Sequence, residues 1–443
     1  MIERYFQLRE NNTTIRRELT AGLTTFAAMA YILAVNPLIL SVAIGKDSIG
    51  ALITATALAS ALMTLAMAFL TNYPLALAPG MGLNAFFAFT VCGAMKIPWQ
   101  AALGMVFWGG VIFLLLSVTG VRQKLVDAIP MELKLAITCG IGLFIAFIGL
   151  KNGGIVVGNP ATFVGLGNFH EAGPWLVIGG LVLIGTLVAK KVRGAVVLGI
   201  FAVTIAGLFI PTATGMITPK PVALFAMPAS LAPTFLKLDL SFLWTSPHVA
   251  IPIILGFLFV DLFDNMGTLI GVCNRAGLLD KNGSLPKIGR AFTADATAAM
   301  IGSCLGTSTV TSYIESAAGV EEGARTGLSS VMVAFCFLLA LFLNPLIAII
   351  PSVATAPALI IVGIFMMQGI LDIDLKDFTK AVPAIVTMIA MPLTFSISEG
   401  IALGFVVYAG LKLCLGRFKE VTPLAWILAA LFLAHFLFQG PGA

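Results

Sequence analysis

Pro74-Leu-Ala-Leu-Ala-Pro79-Gly80-Met-Gly82-Leu-Asn84-Ala-Phe86-Phe87 is an apolar stretch that cannot form one regular helix. Its two prolines remove backbone donors, and two glycines close behind loosen whatever helix is left. A helix can start again near Asn84, with free N–H groups and a positive dipole end at its beginning. A second interrupted stretch, Gly306-Thr-Ser-Thr-Val-Thr-Ser312-Tyr-Ile-Glu315-Ser316, is crowded with hydroxyls. Its alternating Thr and Val favour a short extended piece, followed by a capped half-helix beginning around Ser312. Glycines and small hydroxyl residues also permit close helix packing, which is the competing explanation for both stretches.

The sequence around them decides how such breaks are read. Of 443 residues, 59% are hydrophobic and only 10% are charged, whereas a soluble domain carries about 25% charged residues. A water-soluble fold could not hide this much apolar surface, so the chain is expected to be an all-α polytopic membrane protein lying in a lipid bilayer. That composition excludes a nucleic-acid partner, a secreted disulfide scaffold and a conventional soluble enzyme. Non-helical backbone at membrane depth is tolerated only where protein buries it or where it lines a wet cavity. The six cysteines show no metal-binding or disulfide spacing and the three histidines do not cluster, so neither metal nor cofactor is expected.

At about 20 residues per span there is room for roughly fourteen spans. They are read at about 19–40, 49–71, 78–95, 100–119, 131–150, 175–189, 195–212, 248–273, 291–305, 309–320, 327–349, 356–371, 379–397 and 399–415. The first eighteen residues are polar and run straight into an apolar stretch, so no cleavable signal is expected. With the N-terminus in the cytoplasm, Lys46, Lys96, Lys151, Lys220 and Lys237 fall outside, and the other 20 of 25 basic residues fall inside, among them Arg122, Lys124, Lys281 and Lys412. Moving one span would break this asymmetry, which favours a cytoplasmic membrane protein with both termini inside. The apolar stretch 422–438 is then an interfacial helix rather than a fifteenth crossing. The organisation read from this is a cytoplasmic segment 1–18, a first seven-span unit 19–212, an external loop 213–247, a second seven-span unit 248–417 and a C-terminal segment 418–443.

The two halves echo each other. Ile129-Pro130 is followed by Gly142-Leu-Phe144, and Ile350-Pro351 by Gly363-Ile-Phe365 at the same spacing. The interrupted stretches lie at matching places in the two halves. Seven spans repeated means an inverted second copy, and inverted repeats with broken helices point to a secondary transporter with a midplane site.

All basic residues are read in loops or tails, whereas the charges placed within spans, Asp261, Asp264, Asp295 and Glu315, are all acidic. The i, i+3 spacing of Asp261 and Asp264 puts them on one helix face. Ionisable groups in spans cost about 2.5–3.5 kcal/mol on insertion scales and mark transport pathways or proton relays. Asp295, near Arg290, has a structural ion pair as an equal alternative. Carboxylates, the Asn84 amide and hydroxyls, with no cation at depth, suit a neutral flat ligand bearing N–H donors. Phe86, Phe87 or Phe263 could pack on its ring. An intramembrane aspartyl protease would need its two aspartates on different helices facing each other. An ion channel would show a repeated pore loop, and the two broken stretches differ in composition.

At these residues the chain resembles the nucleobase:cation symporter 2 family, in particular its AzgA-like purine permeases. The matching stretches are Glu18-Leu-Thr-Ala-Gly22-Leu-Thr-Thr25-Phe…Met29-Ala-Tyr31-Ile…Asn36-Pro37, Ala78-Pro79-Gly80-Met-Gly82-Leu-Asn84-Ala-Phe86-Phe87, Val260-Asp261-Leu-Phe-Asp264 and Gly306-Thr307-Ser308-Thr309…Glu315-Ser316…Gly323-Ala-Arg325-Thr326-Gly327. The resemblance implies fourteen spans in a seven-plus-seven inverted repeat. It implies a core domain of spans 1–4 and 8–11, a gate domain of spans 5–7 and 12–14, and short strands in spans 3 and 10. It implies that Gly82, Asn84, Asp261, Asp264 and Glu315 bind the base, with the three acids as candidates for proton coupling. The implied activity is proton-driven uptake of adenine, hypoxanthine or guanine by a possible homodimer, with xanthine, urate or uracil as alternative substrates.

Overall fold

Apolar runs in this chain satisfy their own backbone as helices, and the exceptions are few and paired. The computed structural model describes residues 2–119, 130–212, 215–221, 223–278 and 285–438. Arg122, Lys124, Ile129 and Lys281 lie outside the described residues, as do 213–214 and 222 of the external loop and 439–443 of the C-terminal segment. Among the described residues, eight helices are long and apolar enough to cross a membrane, and five shorter apolar helices accompany them.

The elements in order are α1 (Ile15–Met29), α2 (Ile32–Ile44), α3 (Ile49–Thr71), β1 (Leu77–Pro79), α4 (Met81–Ala85, continuing as a π-helix over Phe86–Ala94) and α5 (Trp99–Val118). Next come α6 (Met131–Asn152), α7 (Ala172–Ala189) and α8 (Ala195–Gly207). The second half holds α9 (Pro247–Arg275), α10 (Ile288–Leu305), β2 (Val310–Ser312), α11 (Ser316–Glu322), α12 (Gly327–Ala340), α13 (Ser352–Met366), α14 (Phe378–Thr394), α15 (Ile397–Cys414) and α16 (Pro423–Phe438). One packed group has α10 on α3 and α5, α12 on α1 and α3, α11 on α1, and α9 on α5. A second has α6 on α13 and α14, α13 on α7 and α8, and α14 on α15. The groups meet where α4 and α9 reach α6 and α2 reaches α13. Helix α16 packs along α15, with Phe432 against Phe405 at 5.8 Å between ring centres.

The two interrupted stretches find each other. Strands β1 and β2 pair antiparallel, with Leu77 opposite Ser312, Ala78 opposite Thr311 and Pro79 opposite Val310. Side chains complete what so short a ladder leaves open: the Thr64 hydroxyl both donates to Leu77 O and accepts from Leu77 N, and Ser316 Oγ accepts from Ala76 N. Such pairing is what backbone away from water requires. The half-helices start at Met81, ahead of Asn84, and at Ser316, four residues beyond Ser312. In the first case the helix can begin directly after Gly80; in the second, Ser312 is still held in the ladder.

Other expectations shift in detail. The first span is two helices, broken at Ala30 and Tyr31, where the bonds tighten to Leu33 N→Ala30 O and Ala34 N→Tyr31 O. Pro37, whose ring crowds the Leu33 carbonyl, follows within two turns. Charges inside helices are not confined to the four acids. Glu18 is buried in α1 and accepts from Arg325 N and Thr326 N. Lys412, counted among the loop cations, is buried in α15 and donates to Glu420 Oε2 at 2.6 Å. The echoed Ile-Pro…Gly spacing has a spatial meaning: Pro130 and Pro351 cap α6 and α13, and Gly142 and Gly363 meet where these helices cross. A Cβ on Gly142 would lie 2.6 Å from the Gly363 carbonyl, so neither site has room for a side chain.

Candidate functional site

The breaks converge on one cavity of about 260 Å³, near the small end of ligand sites, which run from roughly 300 Å³. One wall comes from the first packed group: Tyr31 at the break in span 1, Gly80, Met81 and Gly82 at the start of α4, Asp264 and Thr268 of α9, and Ser312 to Glu315 between β2 and α11. The facing wall is Leu135 and Thr138 of α6, Val362, Phe365 and Met366 of α13, then Gln368 and Gly369. Two carboxylates, an amide, hydroxyls and phenols supply the polar groups, and no Lys, Arg or His is among the lining residues.

Several of these groups are held from behind. Tyr31 is buried, and its O–H donates to Glu315 Oε1 at 2.5 Å. Tyr313 donates to the Pro79 carbonyl at 2.6 Å and so ties β2 to the end of β1. Asp295 is fully buried and accepts from Thr311 Oγ1 and Ser312 N, both at 3.2 Å. It therefore anchors β2. Gly82 has no room for a side chain: a Cβ there would sit 2.5 Å from Ile141 Cγ2 of α6.

Of the residues singled out from the sequence, Gly82, Asp264 and Glu315 line the cavity. Asp261 lines a separate small void with Val106, Gly109, Ala299 and Thr309, between α9, α5 and α10. Three residues along a helix are still about 60° apart around its axis, so two aspartates on nominally one face divide between cavity and scaffold. Asn84 is fully buried and donates to Asn36 Oδ1 at 2.5 Å. Asn36 in turn donates to Thr56 and Thr307, each at 2.8 Å. Phe86 and Phe87 are buried, and Phe86 packs edge-on against Phe257 at 4.9 Å, so neither offers a face to the cavity. The Phe263 side chain lies outside what is described. Phe365 is the phenylalanine among the lining residues, beside the phenols Tyr31 and Tyr313.

Further along α6, past Ile141, the cavity gives way to a cluster of rings. Phe144 and Phe147 pack on Phe395 at 5.4 and 5.8 Å, and Phe89 joins from the π-helix at 5.9 Å. Thr90 donates to the Phe395 carbonyl at 2.6 Å. Towards the opposite end, α9 and α11 finish in charges: Arg275 pairs with Glu321 at 3.2 Å, and Arg193, from the α7–α8 connection, pairs with Glu322.

Sequence reasoning missed Tyr31, Thr138, Thr268, Phe365 and Gln368 as cavity residues. For Tyr31 a signal existed, since a phenol in an apolar span needs a partner.

Comparison with known proteins agrees with this geometry. The model of a permease family matches residues 16–403. The guanine/hypoxanthine permease PbuG of Bacillus subtilis is 45% identical, over 98% of this chain and 99% of its own. The adenine permease AdeP of Escherichia coli is 42% identical, over 99% and 96%. Among solved structures, the transmembrane domain of the cyanobacterial bicarbonate transporter BicA shares the fold, with a TM-score of 0.61 at 14% identity, covering 88% of this chain and 96% of that domain.

Proposed function

The chain belongs to that permease family, the nucleobase:cation symporter 2 family, and on that premise we propose that it takes up purine nucleobases (adenine, hypoxanthine or guanine) together with protons by alternating access. The observation that carries this reading is a cavity with two carboxylates and no cation, in a chain closely related to adenine and guanine/hypoxanthine permeases. Carboxylate oxygens accept ring and exocyclic N–H groups, and the Gln368 amide can meet either a donor or an acceptor. Phe365 offers a face to a flat ring. Two like charges in one enclosed site repel, so a proton taken up by one of them lowers the cost of closing the site, which ties proton entry to base entry.

The larger arrangement follows the same reading: fourteen spans in two inverted sets of seven, both termini in the cytoplasm, and a core of spans 1–4 and 8–11 moving against a gate of spans 5–7 and 12–14. The antiparallel partnership of β1 with β2 and the meeting of Gly142 with Gly363 support it, because equivalent pieces of two repeats meet at a pseudo-twofold axis. In this scheme Asp264 and Glu315 take the base and Gly82 lets α4 pass close to the gate. Asn84 and Asp261 act from the scaffold behind them, with Asp261 a third carboxylate for the coupled proton.

The test is uptake of labelled adenine, hypoxanthine and guanine by cells lacking their own purine permeases. Expression of this chain confers uptake that collapses when the proton gradient is dissipated. Uptake that survives dissipation removes the coupling. Competition by uracil or xanthine, but by no purine among the three, moves the substrate to another nucleobase.

A further inference from the structure

Span 1 is broken at Ala30 and Tyr31, six residues ahead of Pro37, with neither a glycine nor a proline at the break itself. The break at Ala30 and Tyr31 turns one phenol into the cavity. That phenol is 3% exposed and reaches across 284 residues of sequence to Glu315 Oε1. The contact joins three discontinuities: the break in span 1, the end of β2 and, through the neighbouring Tyr313 hydroxyl on Pro79 O, the end of β1. Glu315 itself lies at the N-terminal boundary of α11, and its carboxylate makes no capping bond to that helix. A glutamate side chain has three rotatable bonds, and a ligand that must order them loses affinity.

Resting on the purine reading of the site, we propose that Tyr31 is a positioning residue for substrate binding. Its hydroxyl occupies Oε1 of Glu315 and thereby presents Oε2 to an N–H donor of the base. Tyr31 needs no contact with the base to do this. Its contribution is pre-organisation: the carboxylate is already aimed when the ligand arrives.

Tyr31→Phe removes one oxygen and keeps the ring. Expected is a roughly tenfold rise in apparent KM for purine uptake, the scale of one hydrogen bond to a charged group, with the maximal rate per molecule in the membrane little changed. In a double variant with Glu315→Gln, the Tyr31 change adds no further loss, because an amide whose oxygen is held by Tyr31 presents only an NH2, which cannot accept the N–H of the base. Tyr31→His keeps a donor and recovers part of the affinity, which also covers the case that the Phe variant reaches the membrane poorly. An independent readout needs no substrate. In purified protein the infrared carboxyl band that Glu315→Gln removes shifts in Tyr31→Phe. An unchanged KM, losses that multiply in the double variant, or an unmoved band would each overturn the proposal. A wild-type protein that takes up no purine would instead overturn the functional reading, and the band shift would still decide the contact.

Discussion

The two broken segments share one architecture and divide its work. Each is a three-residue strand in the same ladder, each is followed by a half-helix, and the third residue past each strand reaches the cavity. In the first segment that residue is Gly82, which contributes backbone and clearance; in the second it is Glu315, which contributes a carboxylate. The first segment's own amide, Asn84, faces away into a network with Asn36, Thr56 and Thr307. The lesson is that a shared local architecture need not share chemistry: one segment lends frame and clearance, and the other places a carboxylate in the cavity.

The largest expected effect tests that division directly. Glu315→Gln keeps the shape and removes the charge, and purine uptake falls roughly 100-fold, the upper range for hydrogen bonds to a charged group. Asn84→Ala takes away the donor to Asn36 Oδ1 and leaves that oxygen buried, at a cost of about 1–3 kcal/mol in stability. It lowers the melting temperature of the purified protein while KM per folded molecule stays near the wild-type value. If Asn84→Ala raises KM as Glu315→Gln does, the first segment is a ligand wall like the second and the comparison breaks.

Next in size is Gly82→Ala. The new Cβ would meet Ile141 Cγ2 of α6 at 2.5 Å, and overpacking of this kind costs roughly 1–3 kcal/mol. Because the clash lies between the two packed groups, the maximal rate drops about tenfold while the amount of protein in the membrane holds. Ile141→Ala clears the space, and the double variant recovers most of the rate. Failure of that rescue would mean that Gly82 is needed for backbone conformation rather than clearance.

Much of this frame was legible in the residues. Pro79-Gly80 and the run Thr307 to Ser312 announced the breaks because neither can continue an apolar helix, whereas the spacing of Pro130 and Gly142 against Pro351 and Gly363 announced only an echo between the halves, and the structure adds that the two glycines meet at a crossing. The cavity was legible in part. Glu315 and Asp264 stood out because charge is costly in a span, yet a separation of three residues could not tell Asp264 in the cavity from Asp261 beside Thr309. Phe365 and Gln368 were hidden because their positions follow from how α13 ends against another part of the chain, and no local pattern encodes that. Phe86 and Phe87 misled for the converse reason: both are fully buried and Phe86 packs on Phe257, and in a chain with 32 phenylalanines core packing is a sufficient role.

The smallest effect separates the far ends of the two half-helices. The first half-helix finishes against Phe395, where the Thr90 hydrogen bond and three neighbouring rings form a half-buried cluster with the Lys151 ammonium over Phe395 at 4.7 Å. The second finishes in the Arg193–Glu322 ion pair, whose side chains are 57% and 27% exposed. Exposed pairs contribute about 0–1 kcal/mol, so Arg193→Ala changes the uptake rate by at most about fivefold. The sign follows from position: the pair fastens the α7–α8 connection of one group to α11 of the other, so its loss favours separation of the groups at that end. A cysteine placed at Thr138 or Gln368, both cavity-lining, then reacts faster with a thiol reagent in the Arg193→Ala background than in its absence. The difference fades in about 1 M salt, where screening reaches down to roughly 3 Å. A salt-insensitive change would mean that Arg193 acts by packing, and the charged end would then be held as the aromatic end is.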